Sequence, residues 1–214
     1  MIFNSLTYLI FLAGVCLLYW FLPRQLRLIL ILLSSIVFYG FWNFSFVPLL
    51  FISIIVDYFC AKLIFYNTLE LRRKIFLTIS LVTNFSLLGF FKYYYFFSDN
   101  IIYLGNFFGS NWDPVLFNIL LPIGISFYTF QSVSYTIDVY RKNYEPHDDF
   151  LIFSCYVTFF PQLVAGPILR AGEVIWQFDR RPRFDHYFVK FGLFRIIGGV
   201  SLKVLVADNI ALFV

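Results

Sequence analysis

Charged residues are scarce in this sequence. Asp, Glu, Lys and Arg together make up 13% of the chain, whereas hydrophobic residues make up 61% and aromatic residues 23%. An ordinary soluble domain has about 25% charged residues, so this composition excludes a chain that folds in water around one core. It predicts an all-α, polytopic integral membrane protein.

Histidine and cysteine are also few, and the common catalytic motifs are missing. Cys16, Cys60 and Cys155 lie far apart in apolar runs, which excludes a disulfide framework and metal-ligand spacing. The sequence has no glycine-rich phosphate loop, no GxSxG motif and no metal-type cluster of His, Cys and carboxylates. His147 and His186 lie in the charged segments EPHDD and FDHYF, where a solvated surface histidine is expected rather than a base. We therefore predict no metal and no bound cofactor.

Long apolar runs dominate the rest of the chain. A membrane crossing needs about 20 apolar residues, and about six runs qualify: residues 6–22, 28–42, 46–66, 75–97, 115–137 and 188–206. The N-terminus lacks the basic region and cleavage site of a signal peptide, so the first run is expected to be retained. We predict one transmembrane domain over residues 1–214, with no separate soluble domain.

The Lys and Arg residues predict how these helices are oriented. In a membrane chain the net charge of +4 marks cytoplasmic loops, and it does not require a nucleic-acid partner. Basic residues occupy three connections: Arg24 and Arg27, Arg72 to Lys74, and Arg141 with Lys142. These connections are expected in the cytoplasm, which places the N-terminus outside. Residues 98–114 contain no Lys or Arg and fall outside by the same count.

A broken segment, FFPQLVAGPILR, covers residues 159–170. Its prolines remove helical hydrogen bonds and Gly166 permits a turn. Backbone freed in this way at membrane depth is tolerated only inside protein or along a water-filled cavity. Three arginines follow the segment and again predict a cytoplasmic loop: Arg180, Arg181 and Arg183. We predict that residues 150–169 are re-entrant; the alternative is a proline-kinked spanning helix, which places those arginines outside.

Polar residues share one face of the fifth run. Steps of four, three, four and three separate five of them: Gly124, Tyr128, Gln131, Tyr135 and Asp138. Because polar groups in membranes usually face the bundle interior or an aqueous path, we predict that Tyr128, Gln131, Tyr135 and Asp138 line a substrate path. Gln162 and Gly166 of the broken segment are assigned to the same path. The alternative is ordinary hydrogen bonding between helices.

Two charged residues lie inside apolar runs. Asp57 in the third run and Arg195 in the last each cost about 2.5 to 3.5 kcal/mol if they face lipid, so each needs a partner. A proton or substrate role, a structural ion pair and snorkelling all remain open, and the sequence does not pair the two residues. Lys203, Asp208 and Asn209 are expected to form a polar cluster at a helix end.

Three segments carry a family resemblance: LLPIGISFYTFQSVSYTIDVYR at 120–141, FFPQLVAGPILR at 159–170 and KVLVADNIA at 203–211. In this order and spacing they resemble the membrane-bound O-acyltransferase family, in its bacterial alginate O-acetyltransferase branch. The opening MIFNSLTYLIFLAGVCLLYWFLP and the segment SSIVFYGFWN are similar to the start of that branch. The resemblance covers nearly the whole chain.

The resemblance implies a bacterial inner-membrane enzyme embedded in the lipid bilayer. It implies an acyl thioester donor, usually acetyl-CoA, on the cytoplasmic side. It also implies O-acylation of an exported polysaccharide or other envelope polymer, through a periplasmic partner acetyltransferase. The implied fold is a ring of helices around a central funnel with re-entrant pieces. Two further functions remain open: D-alanyl transfer to teichoic acid by a related enzyme, and a non-catalytic membrane scaffold or transporter.

One family feature has no counterpart in this sequence. In the family, the active-site histidine lies in a segment further along the chain. No segment of this sequence resembles it. We therefore expect this chain to be the N-terminal part of such an enzyme, with that histidine beyond Val214. No catalytic residue is assigned, and the chain alone is expected to be inactive.

Overall fold

The computed structural model describes residues 3, 5–107, 120–164, 166–180 and 184–211. Within these ranges every regular element is helical, so the predicted all-α class is confirmed. The helices are α1 Leu6–Phe21, α2 Arg24–Asn43, α3 Val47–Tyr66, α4 Glu70–Phe107, α5 Ile125–Tyr140, α6 Phe150–Thr158, α7 Phe160–Leu163, α8 Ala171–Asp179, α9 His186–Leu202 and α10 Asp208–Ile210. A 3₁₀ turn, Phe44–Phe46, links α2 to α3, and a π-helical turn, Lys203–Ala207, links α9 to α10.

The chain forms two compact units. One consists of Met1–Leu30 with Arg180–Val214, and the other of Ile31–Asp179. The first unit holds α1, the start of α2 and the α9 to α10 helices. The second holds the remaining helices and most of the buried residues. That a single transmembrane domain contains both units stays a prediction.

The second unit is built around α3. This helix packs against α4, α5 and α6, and α6 also packs against α8. Leu50, Ile54, Ala61 and Ile64 of α3 are completely buried, whereas apolar residues on its other faces, such as Phe59, are exposed. A helix with apolar side chains on its exposed face is typical of contact with lipid.

Two helical stretches are long and apolar enough to cross a membrane. They are Arg24–Tyr66, which joins α2 and α3 through the 3₁₀ turn, and Glu70–Phe107. Helix α1 is apolar but has 16 residues. The count of six crossings stays a prediction.

Several helix boundaries differ from the sequence prediction. Helix α4 continues to Phe107 through Gly89 and Gly105, because no proline interrupts residues 70–107. Helix α5 begins at Ile125 rather than at residue 115; residues 120–124 are not helical, and residues 115–119 lie outside the described ranges. The connection after the broken segment contains the additional helix α8. His186 is the first residue of α9 rather than a loop residue, because the Asp185 side chain caps that helix by accepting from the Tyr187 amide at 2.8 Å.

In the first unit, the side chain of Arg27 in α2 caps the C-terminal end of α1. Its Nε donates to the Leu22 carbonyl at 2.6 Å, and its guanidinium lies over the rings of Tyr19 and Trp20. A cation at a helix C-terminus satisfies the free carbonyls and the helix dipole. The Trp20 ring also meets Phe184 edge to face at 5.1 Å.

Candidate functional site

Helix α6 and the broken segment that follows it form two short helices and then an irregular stretch. Helix α6 ends at Thr158, and after Phe159 the four-residue helix α7 carries Pro161 in its first turn, where no helical N–H bond is lost. Residues 167–170 form no helix before α8 begins. At the start of α8, a Cβ placed on Gly172 would lie 3.7 Å from the ring of Tyr144. Tyr144 precedes α6, so the residues that follow the broken segment lie next to residues that precede α6.

Two glycines allow this segment to pack closely. The Gly166 amide donates to the Gln162 carbonyl at 2.8 Å, and a Cβ on Gly166 would lie 2.6 Å from Gln162 Cα. Gly124 has φ +76° at the start of α5, and a Cβ there would lie 2.7 Å from the Leu163 carbonyl oxygen. Any larger residue at either position would overlap backbone atoms. Glycine is therefore required at position 166, where the broken segment packs against its own Gln162, and at position 124, where the start of α5 packs against Leu163.

Two buried glutamines tie the broken segment to α5. Gln162 Nε2 donates to Gln131 Oε1 at 2.6 Å, and Gln131 Nε2 donates to the Tyr156 carbonyl at 2.7 Å. The Tyr156 hydroxyl donates to the Leu169 carbonyl at 2.7 Å. In addition, the Phe160 amide donates to Ser35 Oγ of α2 at 3.2 Å. These bonds satisfy polar groups that the helix break exposes inside the protein.

The predicted polar face of α5 lies largely inside the second unit. Tyr128, Gln131 and Tyr135 are buried, with at most 3% of each exposed, whereas Asp138 is half-buried. The Tyr128 hydroxyl is buried beside that of Tyr39 without a well-oriented hydrogen bond, and the two rings meet edge to face at 6.5 Å. The structure thus brings Gln131, Gln162 and Gly166 together. That these six residues line a substrate path stays a prediction.

Tyr135 has a different role in the packing. Its hydroxyl accepts from the His147 amide at 3.2 Å, and its ring lies 4.5 Å from that of Phe153. His147 Nδ1 in turn accepts from the Asp149 amide at 3.0 Å. Tyr135 therefore holds the loop between α5 and α6. In the same loop, burial raises the pKa of Tyr144, and the carboxylate of Asp179 raises that pKa further.

Asp57 has partners that sequence reasoning missed. Its carboxylate accepts hydrogen bonds from Ser80 and Asn84 of α4 and from Ser132 of α5. Among the residues that the structure describes it forms no ion pair. The spacing of Ser80 and Asn84 by four places both on one face of α4, and this was a usable signal in the sequence.

The other charged residues in the apolar runs lie elsewhere. Arg195 of α9 is exposed, and its guanidinium lies 4.5 Å from the centre of the Phe191 ring. Lys203 and Asp208 form an ion pair at 2.9 Å across the π-helical turn. Asn209 Nδ2 donates to two carbonyls of that turn, so the expected polar cluster is present.

A buried arginine joins the ends of three helices. Arg73 of α4 donates to the carbonyls of Ile64 in α3 and Tyr140 in α5, and it pairs with Glu70 at 3.1 Å. The Tyr140 hydroxyl also donates to Glu70 at 2.6 Å. Arg73 was predicted only as a marker of a cytoplasmic loop. In the structure it also satisfies carbonyls at two helix C-termini.

Comparison with known proteins identifies relatives over nearly the whole chain. The probable alginate O-acetylases of Azotobacter vinelandii and Pseudomonas aeruginosa are each 37% identical over 99% of this chain, which spans 42% and 41% of their lengths. The peptidoglycan O-acetyltransferase of Helicobacter pylori is 34% identical over 86% of this chain and 39% of its own length. No protein-family model and no solved structure matches the chain.

These relatives cover the motifs on which the family resemblance rests. The chain spans about two fifths of the length of these curated relatives. Identity of 34–37% extends through most of the residues that form the α3 to α5 core and the broken segment. The chain is therefore similar, over nearly its whole length, to O-acetyltransferases that are members of the membrane-bound O-acyltransferase family.

Proposed function

We propose that this chain is part of an enzyme that transfers an acetyl group to the hydroxyls of an exported polysaccharide or another envelope polymer. The observation that carries this proposal is the identity of 34–37% to proteins named for alginate and peptidoglycan O-acetylation. The acyl donor is a thioester such as acetyl-CoA on the cytoplasmic side. The acceptor side is periplasmic, where a partner acetyltransferase receives the acyl group.

The proposed setting is a bacterial inner membrane with the N-terminus outside and residues 150–169 re-entrant. Helix α6 has nine residues, which is about 14 Å of helix and less than half of a bilayer core. The return of Gly172 to Tyr144 supports a segment that enters and leaves on one side. The basic residues on both sides of the segment support the same arrangement.

The role proposed for the buried polar residues is to position the acyl donor. Gln131 and Gln162 are fixed by hydrogen bonds to each other, so their amides are held in one orientation. The Tyr39 and Tyr128 hydroxyls are buried beside each other without a well-oriented hydrogen bond, and such donors can bind the carbonyl oxygen of an acyl group. Groups that are held in place before the substrate arrives lose little entropy when they bind it.

We infer that this chain does not supply the general base. Removing a proton from a hydroxyl needs a basic group within hydrogen-bond reach. His147 Nδ1 already accepts the Asp149 amide and orders the loop before α6. His186 begins α9, and its ring meets Phe184 at 5.0 Å. The base is therefore expected in the part of the enzyme that these 214 residues do not contain.

The test is acetyl transfer by purified protein. Labelled acetyl-CoA, polysaccharide and the periplasmic partner acetyltransferase would be incubated with the 214-residue chain, alone and with a polypeptide that carries the family histidine segment. We expect transfer only with both polypeptides, and a loss of at least tenfold in Gln131→Leu. Gln177→Leu is the matched control, because Gln177 is exposed and bonds only its own helix. Absence of transfer under both conditions, with folded protein, contradicts the proposal.

A further inference from the structure

The carboxylate of Asp57 is completely buried, and no Lys or Arg of the described residues forms an ion pair with it. It lies in the middle of α3 with 0% exposure. Its contacts in the described ranges are hydroxyl and amide donors: Ser80 Oγ, Asn84 Nδ2, at 2.9 and 3.0 Å from the two carboxylate oxygens, and Ser132 Oγ. Buried charges in proteins are normally paired or coordinate a metal. Hydrogen bonds from neutral hydroxyl and amide groups stabilise the negative charge of Asp57 but do not neutralise it.

Three buried oxygen atoms without a hydrogen-bond partner belong to residues that contact Asp57 or lie one helical turn from it. Asn84 Oδ1 is buried and accepts nothing, although the other end of its amide contacts both carboxylate oxygens. Thr136 lies beside the carboxylate, yet its hydroxyl makes no well-oriented hydrogen bond. The Ser53 hydroxyl, one helical turn before Asp57 on the same face of α3, is also buried and unpartnered. A well-packed protein leaves few such atoms unsatisfied.

We propose that Asp57 is the centre of a binding site for one alkali-metal cation of the size of Na⁺, between α3, α4 and α5. One carboxylate balances one positive charge, and neutral oxygens complete the shell. The ligands are a carboxylate oxygen of Asp57, Oδ1 of Asn84 and the hydroxyl oxygens of Ser53, Ser132 and Thr136. Asn84 presents Oδ1 to the ion after a half rotation of its amide, which has the same shape; the contact with the ion then replaces the Nδ2 bonds to Asp57 and to the Ser80 carbonyl.

The donor set selects the class of ion. All ligands are hard oxygen atoms, which excludes a preference for copper or zinc over alkali and alkaline-earth ions. A site for Ca²⁺ or Mg²⁺ usually uses more than one carboxylate, and among the described residues only Asp57 supplies one here. The site stands apart from the acyl-transfer proposal and would be present in an inactive chain.

The site would also hold the core together. Its ligands come from the three helices of the second unit that pack on one another, two from α3, one from α4 and two from α5. A ligand that binds only the folded state stabilises that state in proportion to the logarithm of its concentration. Sodium should therefore raise the melting temperature of the chain.

The experiment measures thermal unfolding of the purified 214-residue chain in detergent at constant ionic strength, with choline chloride replaced stepwise by sodium chloride. We expect a rise of about 3 to 6 °C at ten times the half-saturating sodium concentration, and a further rise with the logarithm of the sodium concentration above that point. Equilibrium binding of radioactive sodium should approach one ion per chain.

Variants locate the effect at this site. Asp57→Asn should abolish sodium binding and the sodium-dependent rise, whatever it does to the melting temperature in choline. Ser53→Ala and Thr136→Val keep the carboxylate and should raise the half-saturating concentration about tenfold. Thr158→Val is the matched control, because Thr158 is equally buried but its hydroxyl bonds the Ser154 carbonyl of its own helix. It should respond like the wild type.

Two results would overturn the proposal. If the folded wild type melts at the same temperature in sodium and in choline and binds no radioactive sodium, a proton neutralises Asp57 instead. If Asp57→Asn keeps the sodium response, the ion binds elsewhere. If Asp57→Asn does not fold, the test is the comparison of Thr136→Val with Thr158→Val. An equal sodium response in these two variants contradicts the proposed site.

Discussion

At the scale of single residues, the backbone conformation explains several identities that side-chain chemistry does not. Gly124 and Gly166 lie where a Cβ would overlap backbone atoms of residues 162 and 163. Lys142 is the only non-glycine residue with positive φ in the described ranges, at 61°. It follows α5, where its amide donates to the Val139 carbonyl and the Asn143 amide to the Asp138 carbonyl. This pair of bonds is the Schellman arrangement that usually places glycine at the Lys142 position.

Gly166→Ala should destabilise the chain by about 1 to 3 kcal/mol, because the new methyl group would lie 2.6 Å from Gln162 Cα. Unfolding in mixed micelles would measure the change. Gly172→Ala is the control, since its methyl group would meet only the Tyr144 ring, at 3.7 Å. If the Gly166→Ala variant were as stable as the wild type, the turn could open freely and the close contact would not constrain it.

Lys142→Gly should stabilise the chain by about 1 kcal/mol. Glycine has no Cβ to oppose the left-handed conformation, which costs other residues about 1 to 2 kcal/mol. The measurement is again the free energy of unfolding in micelles. Lys142→Ala removes the same charge but keeps the Cβ, so it should show no gain; equal stabilisation by both variants would point to charge instead.

At the scale of elements, the sequence predicts helices better than it predicts their partners. Apolar runs gave α1, α2 and α3 to within a few residues, because each ends at proline or at polar residues. The shared face of α5 was visible from its spacing, and burial of Gln131 agrees with it. The pairing of Gln131 with Gln162 was not visible, since it depends on how far the chain turns after Phe159. The partners of Asp57 were missed for a similar reason: they come from two other helices whose register is set by packing.

The link between α5 and the broken segment can be measured with a double-mutant cycle. Gln162→Leu leaves Gln131 Oε1 buried without a donor, which should cost about 1 to 3 kcal/mol. The combination with Gln131→Leu should cost less than the sum of the single changes, with a coupling of about 0.6 to 1.7 kcal/mol. Gln177→Leu combined with Gln162→Leu should be additive. A coupling of zero for Gln131 and Gln162 would show that their 2.6 Å contact adds nothing to stability.

At the scale of the whole molecule, the orientation of the helices determines from which side of the membrane the broken segment is accessible. The charges at the helix ends and the helix lengths together predict that orientation. Helix α4 has 38 residues, about 57 Å, which exceeds a bilayer core of about 30 Å. Its basic start and its end without Lys or Arg should therefore lie on opposite sides. Arg181 and Arg183, which also entered the orientation argument, lie outside the described residues.

Cysteine labelling in intact cells tests this arrangement. Single cysteines would replace Asn143 before α6, Glu173 in α8 and Asn100 near the end of α4, all of which are exposed. Cys16 is exposed and is replaced by serine first, whereas Cys60 and Cys155 are buried. If residues 150–169 are re-entrant, a reagent that cannot cross the membrane should label Asn100→Cys from outside and should reach Asn143→Cys and Glu173→Cys only after the cells are permeabilised. The Asn100 variant shows that the reagent works, and the Asn143 variant fixes the cytoplasmic side. Labelling of Glu173→Cys in intact cells would mean that the broken segment crosses the membrane, and the return of Gly172 to Tyr144 would then need another explanation.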